Sequence, residues 1–251
     1  MFVRPANRVS HRLARLAFFL ASVAALIVAS AGPLHRFVGL DVELTLAVFR
    51  YGFYFAVAGA ALGIATIVPT RPGERRRGFV AAFLAVVIGV AAAWMPLSWF
   101  LRAQRVPELN DISTDITSPP ALVVTAQLRR GATTPAAYPG AAAGVLQRSA
   151  YPDIVPVVLA LPPADAFKRV DKVATELGWE VVARAPSDGR LEAVATSGWF
   201  GFNDDIVVRI RAEGAGSRID IRSKSRVGLS DLGVNAARIR AFIDRLKLEA
   251  G

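Results

Sequence analysis

The sequence predicts an α+β protein with three N-terminal transmembrane helices and a soluble domain that contains a mainly antiparallel sheet. Three apolar blocks before residue 101 are each long enough to cross a bilayer. Residues 217–240 begin with the period-two alternation of a strand and end with the spacing of an amphipathic helix. We therefore expect a membrane domain over residues 1–101 and a two-layer domain over residues 102–251, with its helices on one face of the sheet.

The first apolar block, about residues 14–32, has two interpretations. It follows four arginines, and Ala29-Ser30-Ala31 resembles the small-residue cleavage site of a signal peptide. Alternatively it is a first spanning helix, which we favour because two more apolar blocks follow. Both interpretations send the next residues outward across the membrane. The arginines are Arg4, Arg8, Arg12 and Arg15.

The second and third blocks predict spanning helices over about residues 45–68 and 79–101. Arg50 lies near the outer end of the second helix, where its side chain is expected to reach the headgroups. Gly59 and Gly63 form a GxxxG pair, which is typical of a close helix contact.

The loop between these helices predicts the orientation of the chain. Residues 71–77 contain four arginines and one acidic residue, Glu74, a balance typical of the cytoplasmic side. With a cytoplasmic N-terminus and three crossings, the domain after Leu101 lies outside. We expect a protein of the bacterial inner membrane with a periplasmic C-terminal domain.

The net charge of +10 does not indicate a nucleic-acid-binding protein. Residues 1–101 hold ten Lys and Arg against three Asp and Glu (+7), and residues 102–251 hold twenty against seventeen (+3). Most of the excess therefore flanks membrane segments. No nucleic-acid-binding motif is present, so we predict no nucleic-acid partner.

The chain has no cysteine, and its two histidines, His11 and His35, both lie in the membrane half. The soluble domain therefore cannot supply a Ser-His-Asp triad, a thiolate nucleophile or a His- or Cys-ligated zinc site from its own residues. We predict no cofactor and no metal.

The soluble domain shows a regular succession of strands and helices. An Ala-, Pro- and Gly-rich loop is predicted over residues 131–156, with a short helix near 141–148. Helices are predicted over residues 164–177 and from about Leu232 onward, with Ser230 or Asp231 as the N-cap. Strands are predicted over residues 155–161, 179–183, 191–197, 206–211 and 218–226.

The order of motifs in this half resembles the family catalogued as domain of unknown function 1499. The matching segments are NDISTD followed by PP, AYPDI, ATSGWFGFNDDIVVRI and DIRSKSRVGLSDLGVNAARIRAF. The resemblance covers about residues 106–246. It implies a domain identity and no catalytic residues, because the family itself has no assigned activity.

Several polar residues of this half form a hypothetical binding site. They are Asp111, Asp115, Asp204, Asp205, Arg222, Arg226, Asp231, Asn235 and Arg238. The simplest interpretation is a structural network of arginines and aspartates that joins a turn, a strand and a helix. A cation site is the alternative for the carboxylates, and an anion site at the start of the last helix is the alternative for the arginines. Asp231 argues against the anion, because a capping carboxylate fills that position.

Two local interpretations also stay open. The segment Asn110–Asp115 has the composition of side-chain-to-backbone turns, although its aspartates could instead bind a cation or arginines. Basic side chains at alternate positions of two strands predict one solvated face, with anionic headgroups or an acidic partner as the alternative. These side chains are Arg209, Arg211, Arg222, Lys224 and Arg226.

We therefore expect a membrane-anchored binding or interaction module without catalysis of its own. Its partner would be a protein or an anionic ligand of the envelope. The alternative function is an enzyme that uses carboxylates and arginine on a polar or anionic envelope substrate. That enzyme would need a deep pocket in which Asp111, Asp204 or Asp205, and Arg226 converge.

Overall fold

The protein is described by a computed structural model that covers residues 8–71 and 77–248. The chain divides into two compact units. One comprises Met1–Leu101 and Trp199–Gly201, and the other comprises Arg102–Gly198 and Phe202–Gly251. Arg4 of the basic N-terminus, and Glu74, Arg75 and Arg76 of the predicted cytoplasmic loop, lie outside the described residues.

The first unit is built from three helices that are long and apolar enough to cross a membrane. They are α1 (Arg8–Pro33), which continues as a π-helix over Leu34–Val38, α2 (Val42–Ile67) and α3 (Arg77–Ala103). Asp41 caps α2, because its carboxylate accepts hydrogen bonds from the N–H groups of Glu43 and Leu44. The predicted spans thus correspond to three helices.

Gly59 and Gly63 both lie at close helix contacts. A Cβ atom at Gly59 would lie 2.8 Å from the backbone nitrogen of Ala21 in α1. A Cβ atom at Gly63 would lie 2.9 Å from the carbonyl oxygen of Ala82 in α3. The pair therefore lets α2 approach two neighbours rather than one.

The second unit is a six-stranded antiparallel sheet with helices. The strand order is β1-β6-β5-β4-β3, and β2 also pairs with β6. The strands are β1 (Asp111–Ser113), β2 (Val157–Leu159), β3 (Glu180–Ala185), β4 (Arg190–Thr196), β5 (Asn203–Glu213) and β6 (Gly216–Ser225). The helices are α4 (Val124–Gln127), α5 (Ala141–Ala150), α6 (Pro163–Glu176) and α7 (Val234–Leu248).

The core lies between one face of this sheet and the helices α6 and α7. Ile219 and Ile221 of β6 are each 1% exposed and belong to the same apolar cluster as Val170 of α6. The rings of Trp179 and Phe242 stack with centroids 5.4 Å apart. The predicted fold class, three apolar helices followed by an α+β domain, is confirmed.

The segment Asn110–Asp115 differs from the predicted run of turns. Asp111–Ser113 forms β1, whose residue Asp111 lies opposite Lys224 of β6. Ile112 explains the difference, because its side chain is fully buried in the core and extended backbone is needed to place it there. Asp115 does form the predicted turn, since its carboxylate accepts the N–H groups of Thr117 and Ser118.

The last helix begins at Val234, two residues later than predicted, so Gly233 directly precedes it and neither Ser230 nor Asp231 is at the N-cap position. Leu232 and Gly233 have φ angles of 57° and 80°, a left-handed conformation that cannot belong to an α-helix. The chain makes this turn after Asp231, whose carboxylate accepts the N–H groups of Gly233 and Asn235.

Candidate functional site

The polar side chains of β5 and β6 divide between the two faces of the sheet, as strand alternation requires. One face packs against α6 and α7. The opposite face lies under residues 114–138. We call these residues the covering segment and the face beneath them the covered face. Asp205 and Lys224 are paired in register and lie on the covered face, whereas Asp204 and Ser225 lie on the helix face.

Asp111 is the centre of a buried ion-pair cluster on the covered face. Its carboxylate accepts hydrogen bonds from Nε and Nη2 of Arg222, both at 2.8 Å, and from Nζ of Lys224 at 2.9 Å. The three side chains are at most 3% exposed. Burial lowers the pKa of Lys224, although Asp111 opposes the shift. One carboxylate thus stabilises two buried cations.

The remaining donors of Arg222 hold the covering segment in place. Nη1 donates to the carbonyl oxygen of Pro120 at 3.1 Å, and Nη2 donates to that of Ala136 at 2.9 Å. The guanidinium also lies over the ring of Tyr138, 5.5 Å from its centroid. Burial raises the pKa of Tyr138 to about 12, and Asp111 adds to the shift. These contacts tie the segment to the sheet.

Asp205 forms a second cluster on the same face. Its carboxylate accepts from Nη2 of Arg226 at 2.7 Å and contacts Nη1 of Arg129. Arg129 also donates to Oγ1 of Thr134 at 2.6 Å and to the carbonyl oxygen of Ser225 at 3.1 Å. Asp205 itself is fully buried. The Asp205 carboxylate therefore pairs with two basic residues, Arg129 of the covering segment and Arg226, which directly follows β6.

The far end of the covered face is rich in arginine. Asp220 is fully buried and accepts hydrogen bonds from Arg209 and Arg211 at 2.9 Å and from Arg218 at 3.0 Å. Asp115 accepts from Arg209 at 3.1 Å. Burial opposes ionisation of Asp115, but the N–H groups of its turn and the arginines outweigh this effect, so its pKa is lowered.

Glu192 of β4 is a buried carboxylate outside the set of predicted site residues. It accepts hydrogen bonds from the N–H groups of Val123, Val124 and Thr125 at 2.9–3.1 Å, and from the Thr125 hydroxyl at 2.7 Å. Burial opposes ionisation, but these donors outweigh it and lower the pKa of Glu192. A lone acidic residue inside the apolar strand LEAVA was the available signal.

The helix face carries a separate polar cluster. Arg238 donates to Asp204 at 2.6 Å and to the Ser223 hydroxyl at 3.0 Å. The side chain of Asn235 accepts from Ser223 at 2.6 Å and donates to Ser225 at 3.0 Å. This cluster fixes the start of α7 against β6.

Asp231 lies at the same helix start. Burial raises its pKa, although its hydrogen bonds to the Gly233 and Asn235 N–H groups oppose the shift. As expected from the sequence, its carboxylate occupies the N–H groups that an anion would need.

The prediction of a solvated basic face is wrong for its central residues. Arg222 and Lys224 are buried, whereas Arg209 and Arg211 are partly exposed. The physical reason is the covering segment, whose carbonyl groups replace water as acceptors for Arg222.

The predicted site residues therefore do not form one constellation. Asp111 and Asp205 lie on the covered face, each bonded to two basic side chains, and Asp204 lies on the helix face. A polar cavity beside the covered face is lined by Asp115 and by none of these three. Over residues 8–71 and 77–248, no group of three or more His, Cys, Asp or Glu is placed to hold a metal ion. The arrangement suits a structural ion-pair network better than a convergent catalytic centre.

The second unit matches a known family model. A family model described as "Protein of unknown function (DUF1499)" matches residues 111–246, which agrees with the resemblance of the motifs. No curated protein matches the chain in sequence.

Proposed function

The chain belongs to the DUF1499 family, and we propose that it is a membrane-anchored binding or interaction module without catalysis of its own. Its C-terminal domain faces the periplasm from the bacterial inner membrane. The observation that carries this proposal is the pairing of the candidate carboxylates. Asp111, Asp204 and Asp205 are all engaged by arginine or lysine at hydrogen-bond distance.

A catalytic carboxylate needs a position beside a cavity where it can reach a substrate. Asp111 and Asp205 are instead fully buried beneath residues 114–138, and their partners Arg222 and Arg129 also donate to backbone carbonyl groups of this segment, those of Pro120 and Thr134. Their contacts hold a long segment on the sheet, which produces a rigid surface. A surface held in this way suits binding, because less conformational entropy is lost when a partner docks.

The membrane anchor supports the proposed location. Three helices have the length and hydropathy of membrane spans, and residues 1–101 carry most of the net positive charge. Arg71, at the start of the basic loop, is exposed. The positive-inside rule then puts this loop in the cytoplasm and the C-terminal domain outside.

The test is a search for turnover with the full chain in nanodiscs. The protein is incubated with peptidoglycan fragments, phosphate esters and phospholipids, and the mixtures are followed by mass spectrometry. We expect some compounds to raise the melting temperature and all of them to be recovered unchanged. Product formation that disappears in Asp111→Asn would contradict the proposal, provided hydrogen exchange shows that this variant still folds.

A further inference from the structure

A small polar cavity opens beside the covered face, within the second unit. Its volume is about 260 Å³. It lies between the turn after β1, the end of α5, residues 151–156 and Arg218 of β6. This volume is slightly below the usual range for small-molecule pockets, about 300–1,000 Å³, so it suits a small ligand or one end of a larger one.

Arg148 provides the cavity with an unpaired positive charge. It lies in the last turn of α5 and is exposed. Among the described residues its side chain has no hydrogen bond or ion pair. The neighbouring cavity residue Gln147 is different, because its side chain is buried and bonds both backbone groups of Ser113. Arg148 is therefore available to a ligand.

Arg218 provides a second cation from another element. Its Nε and Nη2 atoms contact Asp220 and Asp115 at 3.0 and 3.4 Å. Its Nη1 group has no acceptor among the contacts of the described residues. Guanidinium groups with donors to spare bind carboxylates and phosphates in a planar, often bidentate geometry.

The local charge balance also favours an anion. Four arginines and two aspartates lie in the cavity wall or form an ion pair with a residue of it, an excess of two positive charges. Asp153, between the wall residues Pro152 and Ile154, is paired with Arg240 and leaves this excess unchanged. Both aspartates are already engaged, so they do not compete for the free donors. The arginines are Arg148, Arg209, Arg211 and Arg218, and the aspartates are Asp115 and Asp220.

One side of the cavity wall is apolar. Ile116, Ile154, Val155 and Pro156 line it, and Val155 is 54% exposed. An exposed apolar side chain beside two arginines suits a ligand that carries a short hydrocarbon next to its charge.

We propose that this cavity binds the anionic end, a carboxylate or a phosphate, of a small amphiphilic ligand. Arg148 and Arg218 contact the charge, and the Ile154–Pro156 segment contacts the hydrocarbon. This inference rests on the proposed binding function and names the class of ligand. The source is either a membrane lipid headgroup or a free compound of the envelope, since both present the same chemistry.

The test is calorimetric titration of the full chain in phosphatidylcholine nanodiscs. Hexanoate and hexyl phosphate are the anionic probes, and hexanamide is the uncharged control. We expect binding of at least one anion, and a dissociation constant about tenfold higher in Arg148→Gln, because a charge-assisted hydrogen bond is lost. Arg130→Gln is the matched control, since Arg130 is also exposed and is not part of the cavity wall. It should bind like the unsubstituted protein.

Three results would overturn the inference: no binding of either anion, equal binding of hexanamide, or equal loss in the two arginine variants. The source is resolved by adding phosphatidylglycerol to the nanodiscs. Weaker hexyl phosphate binding then assigns the cavity to a lipid headgroup, and unchanged binding assigns it to a free anion. Product formation in the turnover search would contradict only the proposed absence of catalysis. Titrations that show no binding of either anion would contradict only the proposed role of this cavity.

Discussion

Asp111 is the residue on which the Arg222–Lys224 pair of the covered face depends. A lone buried cation costs several kcal/mol, and here two of them share one carboxylate. Replacing this cluster with apolar side chains of similar volume need not destabilise the domain. Removing only the carboxylate must do so, because both cations stay buried.

We therefore expect Asp111→Asn to destabilise the second unit by about 3–5 kcal/mol. Hydrogen exchange of β6 amides in the full chain measures the loss. The control is Asp153→Asn, which breaks the exposed pair of Asp153 and Arg240. It should cost less than about 1 kcal/mol. If the two substitutions lower the stability of the second unit equally, the buried cluster contributes no more to stability than an exposed ion pair does.

Glu192 gives the domain a dependence on pH. Its pKa in the folded domain lies below the model-compound value of 4.5. The folded state therefore binds this proton more weakly than the unfolded chain does. The resulting stabilisation is complete above the unfolded pKa and is lost as the pH falls through the folded pKa.

Urea unfolding of the full chain at pH 7 and below pH 4.5 tests this dependence. We expect Glu192→Gln to be less stable than the unsubstituted protein at pH 7, and the difference to shrink in acid. Asp115, whose pKa is also lowered, remains in both proteins and cancels in the comparison. A difference that stays constant with pH would contradict the role of the carboxylate.

At the scale of elements, the left-handed turn before α7 depends on Asp231. Its two carboxylate oxygens accept the Gly233 and Asn235 N–H groups at 2.8 and 2.7 Å. The turn also contains Leu232 at φ 57°, a conformation that costs about 1–2 kcal/mol for a residue with a side chain. The hydrogen bonds of Asp231 offset part of that cost.

Asp231→Ala should therefore destabilise α7 by about 1 kcal/mol. Asp231→Asn keeps one acceptor oxygen and should lose less. Hydrogen exchange of the first α7 amides in the full chain compares the variants. If alanine and asparagine behave like the unsubstituted protein, the carboxylate does not hold this turn.

The covering segment buries the sheet face that was predicted to be solvated. Residues 114–138 contain one four-residue helix, α4, and otherwise lack regular structure. Glu192, Arg222 and Asp205 each bond this segment directly. A stretch without periodicity can therefore seal a sheet face if buried charges supply its hydrogen bonds.

At the scale of the whole molecule, the orientation of the chain is a prediction that its composition makes easy to test. The sequence has no cysteine, so a single introduced thiol is the only one present. Ser187, in the exposed turn before β4, and Arg71, after α2, are both exposed.

We expect Ser187→Cys to react with a membrane-impermeant maleimide in intact spheroplasts. Arg71→Cys should react only after lysis, because the proposed orientation puts the basic loop in the cytoplasm. The reverse labelling pattern would contradict this orientation and the proposed periplasmic location of the C-terminal domain.

The amino-acid sequence by itself determined the features that depend on local periodicity. The three long apolar helices follow from the length of the apolar blocks, and the two faces of β6 follow from alternation. Ile219 and Ile221 were expected on one face and Arg222 and Lys224 on the other, and the contacts of these residues agree. Such patterns need no knowledge of the partner, because they are set by the geometry of a helix or a strand.

Only the tertiary structure decided which face is covered and which charges pair. Asp111 and Lys224 are 113 residues apart in sequence, and Arg129 and Asp205 are 76 apart. No local sequence pattern around Asp111 or Arg129 identifies the residue with which it pairs. Turn-forming composition around Asp111 favoured side-chain-to-backbone turns, but pairing with β6 and burial of Ile112 outweighed it. Long-range pairing depends on the assembled sheet, and for this reason the covered face emerges only from the folded domain.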